Sequence, residues 1–243
     1  MNWLTYFERN RANRMIIPWE RGIAVKPRLS NALIHSLQRF QIGEQGDGIH
    51  LRRNAKATNN PDYVAAIDLF IQEEQEHSRL LARLIRTMNG QLLKRHWSDL
   101  CFVLLRRLLG LRLELMILLV AEMIAKNYYR ILHEENNEPV LHAVFAQILR
   151  DEVGHIRFHS YFLHQAFAHW PLVIRFVLHL SWQAIFRVTV AVVWHDHSKL
   201  LRMLNTSFGD FWRDCDLTFN EVAAQIFYLL PMTNNLKPEI ELI

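Results

Sequence analysis

The chain has 243 residues, 51% of them apolar and 21% charged, a balance that fits a globular core and excludes a disordered, fibrous or collagen-like protein. Its 8 Gly and 7 Pro favour helices over a strand-and-turn architecture, and its 2 Cys, Cys101 and Cys215, exclude a tetrathiolate or rubredoxin-like metal centre. The net charge of +4 and pI near 9.2 suit an anionic partner or a membrane surface only mildly, and without a basic run interleaved with aromatics no nucleic-acid partner is expected.

Residues 1–28 hold Trp3, Tyr6, Phe7 and Trp19 and are broken by Pro18 and Pro27. No continuous apolar stretch suits a signal peptide, and Glu8 and Glu20 count against a transit peptide; the expectation is an arm packed across the main body, in a reducing cytoplasmic setting. A first long helix is expected from Ser30 to Ala55. It contains Gly43, Gly46 and Gly48, each costing about 1 kcal/mol in a helix interior relative to Ala. They imply either close helix packing or a local opening beside Glu44, with Asp47 one turn beyond on the same face.

Thr58-Asn59-Asn60-Pro61 then reads as a turn with an Asn N-cap, and the next helix should run from Pro61 to Asn89-Gly90. The third, from Ser98 to Glu134, is the most apolar, but Arg106, Arg107, Arg112, Glu114 and Glu122 interrupt it too often for a membrane span. Asn136-Asn137-Glu138-Pro139 is a second turn, and a fourth helix should run from Pro139 to Trp170, stopped by Pro171. From Leu172 to Trp194 an apolar helix carries one polar stripe, Arg175, His179, Gln183 and Arg187. It reads as a cover for the bundle, with a membrane-interface helix as the alternative. Thr218-Phe219-Asn220-Glu221 resembles a capping box ahead of a short last helix ending near Pro231. The organisation expected is an N-terminal arm (1–28), a four-helix bundle (29–170) and a C-terminal helical extension (171–243).

One pattern occurs twice. Glu44, Glu74 and His77 recur as Glu122, Glu152 and His155 at a constant offset of 78, each second Glu following its partner by 30 residues. Both midpoints fall in the two turns, so each pair of carboxylates returns to one level of an antiparallel hairpin, roughly 20 Å from the turn. Glu74 occupies the next slot in an apolar stripe of Val64, Ile67, Ile71, Ser78, Leu81 and Ile85. Glu152 and Glu122 sit in similar stripes. Four ionised carboxylates inside a bundle would each cost several kcal/mol if unpaired; two divalent cations would cancel them.

These six residues resemble the ligand set of the ferritin-like di-iron carboxylate proteins, in which two bundle helices give a Glu each and two give Glu-x-x-His. The resemblance covers roughly residues 29–169. The run Arg150-Asp151-Glu152-Val153-Gly154-His155, followed by Phe158, is similar to the last ligand helix of the oxygenase branch, including aldehyde-deformylating oxygenases. The resemblance implies a ferritin-like all-α bundle with added C-terminal helices. It also implies two iron ions or a manganese-iron pair, bridged by Glu74 and Glu152, and an oxidoreductase that activates dioxygen against a mainly hydrophobic small molecule. An external electron donor is required, since no flavin or nucleotide fingerprint is present. A homodimer is compatible, as is peripheral membrane contact.

By the same resemblance Asp151 would orient His77 and Glu73 would orient His155, with Asp47 a further acid near the site; solvent-facing acids are the alternative for all three. The position of the radical tyrosine of ribonucleotide reductase small subunits is Leu81 here, which disfavours a tyrosyl radical. His159, one turn after His155, could with it suggest zinc, but that leaves three Glu unexplained. Glu114 is a second candidate on the third helix but breaks the register of the repeat. Two other functions share the ligand set: a ferroxidase, and a membrane-surface quinone-modifying enzyme.

Overall fold

Asn60 and Pro61 open the second long helix as expected: the Asn60 side chain accepts from the Tyr63 amide at 3.0 Å, and Pro61 fills the first helical position, where no amide hydrogen is needed. The computed structural model describes residues 1–46, 48–93 and 110–228. Among them the regular structure is eight α-helices and one short 3-10 turn at Trp19–Arg21: α1 Trp3–Ala12, α2 Pro27–Gly43, α3 Ile49–Lys56, α4 Pro61–Thr87, α5 Gly110–Glu134, α6 Pro139–Phe167, α7 Leu172–Met203 and α8 Phe208–Phe227.

The bundle consists of α2 with α3, then α4, α5 and α6. Helix α5 packs along α6, α2 and α3 lie against α4, and α3 also reaches α5. From Glu114 to Val120 every residue of α5 is buried, because α6, α7 and α8 all contact it; its apolar run is the signature of a central helix and not of a membrane span. The core between the hairpins holds Leu37, Ile67, Phe70, Leu81, Leu115, Tyr129, Phe145 and Ile148, all buried. Burial of a large apolar side chain contributes about 1.5–3 kcal/mol, so this layer fixes the register of the four helices.

Two expectations need correction. The helix expected from Ser30 to Ala55 is two helices. Helix α2 stops at Gly43, Glu44 is its C-cap, and Gly48 takes φ +65 before α3 begins. That left-handed backbone is open to Gly without strain, and a Cβ at Gly48 would meet Ile71 Cδ1 at 2.5 Å. Gly43 and Gly46 are exposed, so they line no interior wall. The last helix begins not at Thr218 but at Phe208, where Ser207 and Asp210 form a reciprocal capping box; Thr218 is buried in mid-helix and accepts from Asn127 Nδ2 at 3.0 Å. The facing of α7, which the sequence left open, is decided by its partners. Its Trp182, Phe186, Val190 and Trp194 pack inward, and its polar stripe also turns toward the protein: Arg175 Nη1 donates to the Phe227 carbonyl, His179 meets Tyr228, and Arg187 pairs with Asp216. The outer face is left apolar, with Val173 73% and Phe176 54% exposed. Ser98, Cys101, Arg106, Arg107, Pro231 and the candidate Asp47 lie outside the described residues.

Helix α1 packs on α4, with Phe7 fully buried against Phe158. A Cβ at Gly154 would collide with the Tyr6 hydroxyl. The glycine inside the Glu-x-x-His of α6 thus leaves room for the Tyr6 side chain of α1.

Candidate metal centre

The register of α4 and α6 sends Glu74 and His77, and Glu152 and His155, into the space between the hairpins, since residues three apart share a helix face. Glu44, Glu74, His77 and Glu152 each offer one donor atom, and those atoms all lie within 4.8 Å of one another. His155 Nδ1 lies 3.1 Å from Glu74 Oε1 and 3.9 Å from Glu152 Oε2. His77 Nδ1 lies 3.7 Å from both Glu74 Oε1 and Glu152 Oε1. Glu74 and Glu152 therefore each stand within reach of both imidazoles, as groups spanning two sites would. Glu122 approaches from α5, near enough for its charge to act on Glu152, and Glu44 enters from the end of α2.

Outer acids hold both imidazoles. His77 Nε2 is 3.0 Å from Asp151 Oδ2, and His155 Nε2 is 2.9 Å from Glu73 Oε2. Each acid sits immediately before the Glu of the opposite hairpin's motif. With Nε2–H donating outward, each Nδ1 is the nitrogen that faces the cluster, and it offers a lone pair once a cation has displaced any proton there. The N-terminal arm completes this outer layer, which the sequence reading did not anticipate. Asn10 Nδ2 donates to Glu73 at 2.6 Å and to Asp151 at 2.8 Å, and Arg14 Nη1 donates to Asp151 Oδ2 at 2.6 Å. Gln147 Nε2 adds a further bond to Asp151 at 2.9 Å. Asn10 and Arg14 stand among several other polar residues of this arm, so nothing local singles them out, and only the docking of the arm shows their target.

The inner atoms are not satisfied by one another. Glu74 Oε1, His77 Nδ1, both oxygens of Glu122, Glu152 Oε2 and His155 Nδ1 are buried and have no hydrogen-bond partner; the contacts among them are close but not aligned as hydrogen bonds. Buried groups of this kind normally find partners, and each one left without costs about 1–3 kcal/mol. Protonation shows the same deficit. Burial first, and then the charge of Glu74, push the Glu44 carboxyl well above its ordinary 4.5; burial with the charges of Glu74 and Glu44 does the same to Glu152. Burial also raises Glu74, but the contact with His155 and the charges of His155 and His77 outweigh it and hold Glu74 down at about 2. His155 is penalised by burial yet pushed well above 6.5 by Glu73 and Glu74. Protons thus stand where compact positive charge is required, and a pair of divalent cations fits this donor set.

Glu114 does not join the cluster; it is buried and accepts from Asn54 Nδ2 at 2.7 Å. His195 is exposed while His197 is buried beside Ser36, so those two share no site. Tyr129 reaches the cluster, its hydroxyl 3.4 Å from Glu44 Oε1. Tyr128 instead pairs with Ser36 at 2.6 Å.

No protein-family model matches the sequence, and no curated protein does. Solved structures do. An R2-like ligand-binding oxidase variant with an aerobically reconstituted Mn/Fe cofactor superposes with a TM-score of 0.69 at 12% identity, covering 92% of each chain. A second variant of such an oxidase, with the Mn/Fe cofactor reconstituted anaerobically, gives 0.66 at 15% identity and the same coverage. A third, with its metal cofactor after photoconversion, gives 0.64 at 14% over 93% of each chain. Identity this low speaks to architecture, and the architecture is clear: the chain has the ferritin-like helical fold shared by the R2-like ligand-binding oxidases.

Proposed function

We propose that the protein is a non-haem dimetal oxidoreductase that uses dioxygen to oxidise a mainly hydrophobic small molecule. Its cofactor is two iron ions, or manganese and iron as named for the structural neighbours, held by Glu44, Glu74, His77, Glu122, Glu152 and His155. The observation that carries this reading is the set of buried carboxylate oxygens and imidazole nitrogens without partners at the centre of the bundle. When bound, the metals supply the redox chemistry and the coordination position for dioxygen.

The chain's own part is positional. Glu74 and Glu152 reach both imidazoles and would bridge, while Glu44 and Glu122 close the two ends. Asp151 and Glu73 fix the imidazoles so that Nδ1 faces inward, and Asn10 ties these acids together. Phe70 lies edge-on against His155, and Phe145 backs the Tyr129 ring whose hydroxyl reaches Glu44; these mainly apolar neighbours support a hydrophobic substrate. The interruption of α2 beside Glu44 breaks the helical wall at that end of the cluster. Electrons come from a separate donor.

The test is anaerobic loading of the full chain with Fe(II), alone or with Mn(II), followed by metal analysis and exposure to oxygen. Two metals per chain and oxygen uptake stimulated by apolar small molecules are expected. A chain that binds no iron or manganese sinks the reading. Iron oxidation that builds a ferric mineral without organic turnover would establish the ferroxidase instead.

The outer face of α7 favours a second reading of where the enzyme works. Leu172–Met203 is long and apolar enough to cross a membrane, and its most apolar stretch lies mostly on the outside of the protein. On this reading the helix rests on a membrane surface and the substrate is a quinone-like lipid-soluble molecule. Flotation of the protein with anionic vesicles, lost in Val173→Asp/Val177→Asp, would support it; recovery of the protein entirely in the lipid-free fraction would remove it.

A further inference from the structure

The two halves of the cluster differ at one position. His159 lies one turn beyond His155 on α6, and its counterpart 78 residues earlier is Leu81. Leu81 is an ordinary core residue, fully buried. His159 is equally buried, at 0% exposure, yet neither of its ring nitrogens has a hydrogen-bond partner. Its ring is caged by Phe70 at 4.7 Å, edge to face, and by Phe158 at 4.9 Å. A histidine kept in an aromatic cage with both nitrogens idle is costly, since a leucine would fill the space without polar atoms to desolvate.

Among the described residues it stands beside Glu122. His159 Nε2 lies 3.4 Å from Glu122 Oε1, but the two are not aligned as donor and acceptor, and both Glu122 oxygens lack any hydrogen-bond partner. Two donors on one ion, each about 2.1 Å from it, stand about 3.0–3.4 Å apart at angles between octahedral and tetrahedral. The separation of Nε2 and Oε1 is that of two ligands sharing a metal.

We propose that His159 is an additional nitrogen ligand to the ion on the Glu122 side, which makes the two metal positions unequal. This rests on the dimetal reading above. The position near Glu44 then has a single imidazole, His77, whereas the one near Glu122 has His155 and His159. A set richer in imidazole suits iron, and one richer in carboxylate suits manganese.

The experiment compares wild type with His159→Leu, which copies Leu81, and with His159→Gln, which keeps polarity and approximate volume. The probes are Mn(II) alone and Fe(II) alone, titrated into the metal-free full chain, with electron spin-echo measurement of nitrogen couplings in the Mn(II)-loaded protein. Wild type should bind two ions. Both variants should lose one nitrogen coupling, and one of the two ions should bind more weakly by more than the roughly 10- to 100-fold that loss of an outer partner costs. Metal-free His159→Leu should melt at the same temperature as wild type or higher, because an unsatisfied group has been removed from an apolar cage, while its gain in melting temperature on metal addition shrinks. Two ions bound with wild-type affinity and unchanged couplings in both variants would overturn the proposal and leave the dimetal reading standing. A wild-type chain that binds neither metal would overturn the dimetal reading, and this inference with it. Metal-free melting lowered in both variants, with couplings retained, would make His159 a packing residue.

Discussion

The two hairpins carry the same three-residue pattern and do not build it the same way. In the second, Glu122 sits in mid-helix on α5, buried, with Glu152, His155 and His159 sealed around it. In the first, Glu44 caps the end of α2, the backbone turns through Gly48 at φ +65, and the Glu74 side chain keeps 18% exposure. Both hairpins meet the requirement for inward-facing donors, because only the positions of Glu and His matter for that. Continuity of the helix around the donor is a separate property, and it was relaxed on one side alone. The break in the helix leaves one half of the site built from a helix end and the other from helix interiors, while Glu44 itself stays buried.

The strongest way to break this comparison is to ask whether the hairpins share one site. If Glu74 and Glu152 span both positions, Glu74→Ala or Glu152→Ala should abolish binding of the metal pair, read as a fall from two ions per chain to none by elemental analysis. Retention of one tightly bound ion in both variants would mean two independent half-sites.

The outer layer comes next. Asp151 orients His77 and takes bonds from Asn10, Arg14 and Gln147, so Asp151→Asn should weaken metal affinity by about 10- to 100-fold without removing a donor. Asn10→Leu, which unties Glu73 and Asp151 together, should act in the same direction on both hairpins. An isothermal titration indistinguishable from wild type would make α1 a cover and not a part of the centre.

The interruption in α2 can be probed through its glycines. Gly48→Ala puts a Cβ on a left-handed residue and against Ile71, and should destabilise the fold by about 1–3 kcal/mol. Gly43→Ala, at a helical position with open space around it, should be neutral or stabilise by up to about 1 kcal/mol. Equal denaturation midpoints for the two variants would mean that the break is not held by Gly48.

The smallest effect expected is on the metal-free protein. Glu44 and Glu152 keep their protons above 4.5, and His155 keeps its own above 6.5. Through that window the folded state binds more protons than the unfolded chain, so metal-free stability should fall as pH rises from about 5 to about 8. Asp151 and Glu74, held low, add no slope there; their contribution is lost only in strong acid. Divalent metal displaces the protons, so the loaded protein should lack this fall and metal affinity should rise with pH. Thermal melts across that range, with and without Mn(II), measure both.

The local sequence determined the helical class, the start of α4 at Asn60-Pro61 and the inward level of the paired carboxylates, because helix periodicity and capping act over a few residues and a 30-residue hairpin spacing is simple geometry. Three features were decided only by tertiary contacts. The end of α2 at Gly43 depends on the close approach of Gly48 to Ile71. The polar stripe of α7 turned inward because the Phe227 carbonyl, Tyr228 and Asp216 offered partners, leaving apolar residues outside against the usual pattern. Asn10 and Arg14 lie 141 and 137 residues from Asp151, and no local rule links them. The difference between His159 and Leu81 was present in the sequence, but it acquired a meaning only when the fold set His159 beside a buried carboxylate with nothing else to bind.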